Sequence, residues 1–153
     1  MNRISMKIAM MVLGALTMVG CGNSAPSNST ARDAVVYLAS AAQAQNKKAF
    51  IMAFSPELRK EIKEQKSWES SLHDRFFGKM ADLKIAQNQV DDNTVKILAS
   101  WRTGKTIYSF PGMVFTVKKI DGNWLISGME KASPMDYGRA EGKEEQINIT
   151  PLK

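Results

Sequence analysis

The chain has 153 residues, of which 44% are apolar, and this allows one domain of ordinary size with a substantial core. Its 21 Lys and Arg residues exceed its 15 Asp and Glu residues and give a net charge of +6. The basic residues alternate with glutamates and do not form a clustered stripe with aromatic residues between the charges. That distribution is typical of solvated helix faces and argues against a nucleic-acid-binding protein.

The first twenty residues have the pattern of a secretory signal peptide. Arg3 and Lys7 provide a positive start, and residues 8–20 form an uncharged apolar run. A helix of that length spans about 20 Å, which is short of the ~30 Å hydrocarbon core that a permanent transmembrane helix must cross. We therefore expect residues 1–20 to be removed during export.

The segment ends Met18-Val19-Gly20-Cys21, which resembles the lipobox of bacterial lipoproteins. The resemblance implies that the thiol of Cys21, the only cysteine in the chain, is joined to a diacylglycerol and that the peptide is cut just before it. Met18 departs from the usual Leu of that motif. The alternative is ordinary signal cleavage near Ala25, which would leave an unmodified thiol. Asn23 disfavours that site, because a small residue is expected at the third position before the cut.

Residues 22–30 contain no large apolar side chain, so we expect residues 21–30 to be a lipidated cysteine followed by a flexible tether. This arrangement predicts a bacterial membrane as the first partner, reached through the N-terminal lipid. Another envelope protein or a cell-wall component is the second partner class. In lipoproteins of enteric-type bacteria, an Asp directly after the cysteine resembles a signal that retains the protein in the inner membrane. Gly22 stands there, which favours the outer membrane where the organism has one.

Four helices are predicted next along the chain. The sequence TARD at 30–33 has the pattern of a capping box and opens a helix that runs to about Gln45. Residues 47–54 form a second short helix, and the Ser-Pro pair at 55–56 starts a third. The last helix stops near Gly78 and carries an apolar stripe at a spacing of four: Trp68, Leu72, Phe76 and Met80.

After Ala81 the apolar period changes from about 3.6 to 2, which predicts strands. Two strands flank the polar turn at 91–93, and one face of the second carries Val95, Ile97, Ala99 and Trp101. A segment at 106–110 and a strand at 113–120 follow. The turn at 121–123 leads into a strand that contains Trp124. Helices followed by an antiparallel meander indicate an α+β fold.

The first helix, the run FSPELRKEI and the final VFTVKKIDGNWLISGM resemble the nuclear transport factor 2-like, or cystatin-like, superfamily. The resemblance implies a cone-like fold in which N-terminal helices pack on one side of a curved antiparallel sheet. We assign this α+β domain to residues 31–130. Residues 131–153 are polar, and we expect a mobile C-terminal tail in which QINITPL is a candidate edge strand.

Catalytic groups are hard to find in this sequence. Enzymes of the ketosteroid-isomerase kind, which share the cone, place a carboxylate base on the sheet wall. Here Asp91, Asp92 and Asp121 lie in predicted turns, and Asp82 only opens the first strand. His73, the single histidine, stands beside an aspartate on a helix, where sequence neighbours point to different faces. One histidine and one lipidated cysteine do not make a metal site, so no metal or cofactor is expected.

Five aromatic residues are candidates for lining a pocket in the cone: Trp68, Trp101, Tyr108, Phe115 and Trp124. Aromatic residues also dominate cores of this size, so the same five can simply pack between helices and sheet.

The sequence therefore favours a membrane-anchored envelope lipoprotein whose domain is a non-catalytic binding or accessory module. The alternatives are a pocket enzyme of the ketosteroid-isomerase or hydratase kind and a carrier of an apolar ligand.

Overall fold

The computed structural model describes residues 26–102 and 112–153, with the side chains of residues 68 and 69 excepted. Four helices come first: α1 (Ala31–Gln43), α2 (Lys47–Met52), α3 (Pro56–Glu64) and α4 (Lys66–Phe76). Four strands follow: β1 (Asp82–Asp91), β2 (Thr94–Trp101), β3 (Met113–Ile120) and β4 (Asn123–Lys131). The chain ends with α5 (Pro134–Ala140) and β5 (Glu145–Asn148). The predicted α+β order, with helices before a curved antiparallel sheet, is confirmed.

Helices α1 and α3 begin where the sequence predicts. The hydroxyl oxygen of Thr30 accepts a hydrogen bond from the amide of Asp33 at 3.1 Å, and the Asp33 carboxylate accepts one from the amide of Thr30 at 2.9 Å. Burial raises the pKa of Asp33, but hydrogen bonds from Ser29 and Thr30 outweigh it and lower that pKa. Ser55 caps α3 in the same way through the amide of Leu58. Such caps contribute about 1 kcal/mol each and fix where the helices begin.

The five strands pair antiparallel in the order β4-β3-β2-β1-β5. The helices cover one face of this sheet, and the core between them is rich in phenylalanine. Phe50, Phe54, Phe76 and Phe115 are each no more than 1% exposed. The ring of Phe76 lies 5.2 Å from that of Trp101 and 6.4 Å from that of Phe115. The predicted inner face of β2 is confirmed, and the concave side of the sheet is packed with side chains.

The last twenty residues differ from the predicted mobile tail. Ser133 and Asp136 form a capping box that opens α5, and the hydroxyl of Tyr137 accepts a hydrogen bond from the amide of Gly112. A small second cluster joins α5 to the outer face of the sheet: Ala86, Leu98, Val114, Ala132 and Ala140. The strand β5 overlaps the candidate edge strand and pairs with β1. Both faces of the sheet are therefore partly covered, and the C-terminal segment belongs to the domain.

The N-terminal segment also differs from the predicted tether at its end. Asn28 is 5% exposed, and its side-chain amide donates to the carbonyl of Trp124 at 2.9 Å. The backbone amide of Asn28 donates to Oδ1 of Asn123 at 2.6 Å, and its carbonyl accepts from the amide of Trp124 at 3.3 Å. The carbonyl of Pro26 accepts from the Asn123 side chain. Residues 26–28 are thus fastened to the start of β4, because backbone and side chain both find partners there.

Within residues 26–102 and 112–153, none of the helices combines the length and the apolar character that crossing a bilayer requires.

Candidate functional site

The structure places the predicted site residues in different surroundings. Trp101 and Phe115 pack in the core against Phe76 and line neither of the clefts described below. Trp124 is 9% exposed at the start of β4 and also belongs to the core. These three aromatic rings therefore belong to the packed core between the helices and the sheet. Three other predicted site positions lie outside the part of the chain that the structure describes: Cys21, Tyr108 and the side chain of Trp68.

The polar candidates occupy exposed or edge positions. Nδ1 of His73 lies 3.7 Å from Oδ1 of Asp74, and these side chains are 53% and 82% exposed. The two neighbours therefore approach each other more closely than helix geometry predicts, as a solvated pair of small energetic weight. Asp82 opens β1 as predicted and accepts a hydrogen bond from the side chain of Gln146 at 3.0 Å. Among the described residues, no three His, Cys, Asp or Glu side chains come together as a metal site.

A cleft of about 360 Å³ opens between α2, α3 and α4. Its walls include five apolar side chains: Phe50 and Ile51 from α2, Ile62 from α3, Leu72 from α4 and Phe77, which directly follows α4. Phe50, Ile62 and Leu72 are nearly buried, whereas Ile51 and Phe77 are partly exposed. The rings of Phe50 and Phe77 meet edge to face with their centroids 5.0 Å apart. These five side chains form the apolar floor of the cleft, which solvent can reach.

Two short connections position the three helices around this floor. The link between α2 and α3 is bound to β4, because the amide of Ser55 donates to the carbonyl of Ile126 at 2.8 Å and the amide of Ile126 donates to the carbonyl of Ala53 at 3.0 Å. One residue, Gln65, separates α3 from α4, and its extended backbone turns the chain there. The first link joins α2 and α3 to β4, and the second changes the direction of the chain between α3 and α4. The backbone at these two links therefore sets the space between the three helices.

The rim of the cleft is basic. Lys47, Lys63 and Lys66 line it together with Gln65, and the three lysines are exposed. Among the described lining side chains there is no carboxylate. The nearby carboxylate of Glu64 lies 3.9 Å from Nζ of Lys60 on the neighbouring turn of α3. An apolar floor under a positive rim can hold a ligand that has an apolar body and an anionic group.

The sequence does not single out these lysines. They are spread over 20 positions and belong to three helices, so they look like the ordinary solvated charges of amphipathic helices. The one available signal was the thin inner face of α3, on which Leu58 and Ile62 are buried. A helix with so few apolar positions leaves room beside it.

A second cleft of about 320 Å³ lies between α4 and the ends of β3 and β4. Its lining carries charges of both signs, namely Arg75, Lys131 and Glu130. Glu130 also forms an ion pair with Lys96 at 3.2 Å. The mixed charge gives this cleft less preference for one class of ligand than the basic cleft has.

Searches against protein-family models, curated proteins and solved structures gave no match to this chain. The N-terminal sequence, the fold and the geometry of the basic cleft therefore carry the functional argument.

Proposed function

We propose that the protein is a lipid-anchored component of the bacterial cell envelope, and that its α+β domain is a non-catalytic binding module. The observation that supports lipid anchoring is the order of features in the N-terminal sequence: a positive start, an apolar run and then Met18-Val19-Gly20-Cys21. We also propose that the domain is of the nuclear transport factor 2-like kind. Its order of helices and antiparallel strands is compatible with that fold.

The attachment of residues 26–28 to β4 supports a short anchor. Five residue steps separate Cys21 from Pro26, so this part of the chain reaches at most about 18 Å when fully extended. Two or three acyl chains on Cys21 bind a bilayer far more strongly than one chain does. The proposal therefore keeps the domain near the membrane, with the start of β4 as its membrane-proximal point.

The packing of the core favours a binding module over an enzyme of the ketosteroid-isomerase kind. Such an enzyme would hold its substrate between the helices and the sheet, where Phe50, Phe54, Phe76 and Phe115 are buried in the core. The basic cleft lies on the helical side of the domain and is open to solvent. A ligand bound there contacts helices and leaves the sheet untouched.

The anchor is tested by metabolic labelling with radioactive palmitate in the native host, followed by fractionation of the cells. We expect the native chain to incorporate label and to sediment with membranes, and the Cys21→Ala variant to do neither. Ser24→Ala is the matched control, because it changes a nearby residue and leaves the lipobox intact. Equal labelling of the native chain and Cys21→Ala would contradict the proposal, and so would a native chain found in the soluble fraction.

A further inference from the structure

We infer that the basic cleft between α2, α3 and α4 binds a single-chain amphiphile with an anionic head group, of the fatty acid or acidic lysophospholipid class. The inference rests on the proposed binding role of the domain, but it is independent of the lipid on Cys21. It deepens that role by naming the chemistry of the ligand.

The apolar floor selects an acyl chain. Ile51 and Phe77 are partly exposed at the cleft, and both lie beside the nearly buried Phe50, so an acyl chain laid there removes their apolar surface from water. The volume of about 360 Å³ is at the lower end of the range of small-molecule sites. That size suits one narrow chain better than the helix of a protein partner.

The rim selects a negative head group. Lys63 and Lys66 carry exposed ammonium groups on flexible four-carbon stems at the end of α3 and the start of α4. Such groups act as mobile point charges, which suits a carboxylate or a phosphate equally well. Gln65 stands between them and adds an amide that can donate a hydrogen bond. Lys47 contributes positive charge from the opposite wall.

Neither an anionic group alone nor an apolar group alone matches both the basic rim and the apolar floor of the cleft. An inorganic anion would meet the lysines and leave the apolar floor exposed to water. A neutral hydrocarbon would cover the floor and leave the ammonium groups of Lys63 and Lys66 exposed to water. A molecule with both parts satisfies the two surfaces together.

The test is photo-crosslinking of the mature full-length protein, reconstituted from cell membranes into phosphatidylcholine vesicles. Four diazirine probes with the same acyl chain are compared: a fatty acid, the corresponding fatty alcohol, lysophosphatidylglycerol and lysophosphatidylcholine. Tryptic peptides are then mapped by mass spectrometry. We expect one or both anionic probes to label peptides within residues 47–77, and the two probes without net charge to label them several-fold less. Labelling by the fatty acid alone assigns a carboxylate ligand, and labelling by lysophosphatidylglycerol alone assigns a phosphate ligand.

Two double variants isolate the role of the rim. Lys63→Gln with Lys66→Gln removes two charges from the cleft, whereas Lys118→Gln with Lys119→Gln removes two exposed charges on β3. At subsaturating probe we expect the first pair to reduce labelling about 2- to 10-fold, since each exposed charge pair has a modest effect. The control pair should match the native protein.

Several results would overturn the inference. They are equal labelling by the acid and the alcohol, equal loss in both double variants, or crosslinks that map outside residues 47–77. Displacement of the probe by an acidic amphipathic peptide but not by unlabelled palmitate would assign the cleft to a protein partner. Labelling that appears only in Cys21→Ala would mean that the protein's own acyl chains occupy the cleft. The mass of the Cys21 peptide in the same sample reports the anchor separately, so failure of the anchor and failure of the ligand are distinguishable.

Discussion

Replacement of Asn28 by alanine tests whether the N-terminal segment is part of the folded domain. The side-chain amide of Asn28 donates to the carbonyl of Trp124 at 2.9 Å, and both residues are less than 10% exposed. Two backbone hydrogen bonds of Asn28, to Asn123 and from Trp124, do not need its side chain. The variant therefore removes one buried hydrogen bond and leaves the others possible.

The magnitude follows from that single bond. A neutral intramolecular hydrogen bond contributes about 0.5–1.5 kcal/mol, and leaving a buried carbonyl poorly satisfied adds to the loss. We expect Asn28→Ala to lower the free energy of unfolding by about 1–2 kcal/mol. For a domain of this size that corresponds to a fall in Tm of roughly 3–10 °C.

The assay is urea denaturation of the full chain, with Asn88→Ala as the control. Asn88 is exposed on β1, so its replacement should change the free energy of unfolding by no more than about 0.5 kcal/mol. Trypsin provides a second measurement, because it cleaves after Arg32 only when the first turn of α1 opens. We expect faster cleavage at Arg32 in Asn28→Ala. If Asn28→Ala is as stable as Asn88→Ala and is cleaved at the native rate, residues 26–28 are a free tether and the short anchor is wrong.

Two further predictions concern the C-terminal segment. A β-carbon on Gly112 would lie 2.5 Å from the backbone oxygen of Ala99, so we expect Gly112→Ala to lower the free energy of unfolding in urea by about 1–3 kcal/mol. Gly138 in α5 has open space around it, so Gly138→Ala should be neutral or stabilising. Equal effects of the two substitutions would refute the close contact at Gly112. The hydrogen bond from Arg32 lowers the pKa of Glu145 in the folded state. The pair therefore stabilises the fold fully at pH values above the ordinary pKa of 4.5, and this stabilisation is lost as the pH falls through the lowered pKa. Arg32→Gln should therefore cost up to about 1 kcal/mol at pH 7 and less at pH 3, and a cost that grows on acidification would contradict this.

The helices and the central strands were predictable because their signals are local. The capping pattern at 30–33 and the Ser-Pro pair at 55–56 mark helix starts with side chains that lie within four residues of the groups they satisfy. The alternation along β2 reports its buried face directly. In each case the residues that decide the structure are neighbours in sequence.

The helix α5 had a local sequence signal that was missed, whereas the strand β5 had only a weak one. Ser133, Pro134 and Asp136 repeat the helix-start pattern seen earlier in the chain, and the polar composition of the segment obscured it. The strand β5 was predicted only as a candidate within QINITPL, because its sequence EQIN has few strand-favouring residues and it forms through pairing with β1, about 60 positions away. Burial of Ile147 and Ile149 against the core then holds the segment in place.

The basic cleft was beyond sequence reasoning for a different reason. Its floor and rim come from three helices, whose spacing depends on how Ser55 and Ala53 bind β4 and on the turn at Gln65. Two of the aromatic residues predicted to line a pocket showed the opposite outcome. Trp101 and Phe115 fill the core, because the facing helix residues are also large.

The lipobox predicts that the mature protein begins at a lipidated Cys21, and the mass of its N-terminal peptide is the direct test. The protein would be purified from the membranes of its native host and digested, and the N-terminal peptide would be analysed by mass spectrometry. We expect a peptide that starts at Cys21 and carries the mass of a diacylglyceryl group, with or without a further acyl chain on the new amine. A mature chain that starts near Ala25, or a peptide in which Cys21 is unmodified, would contradict it.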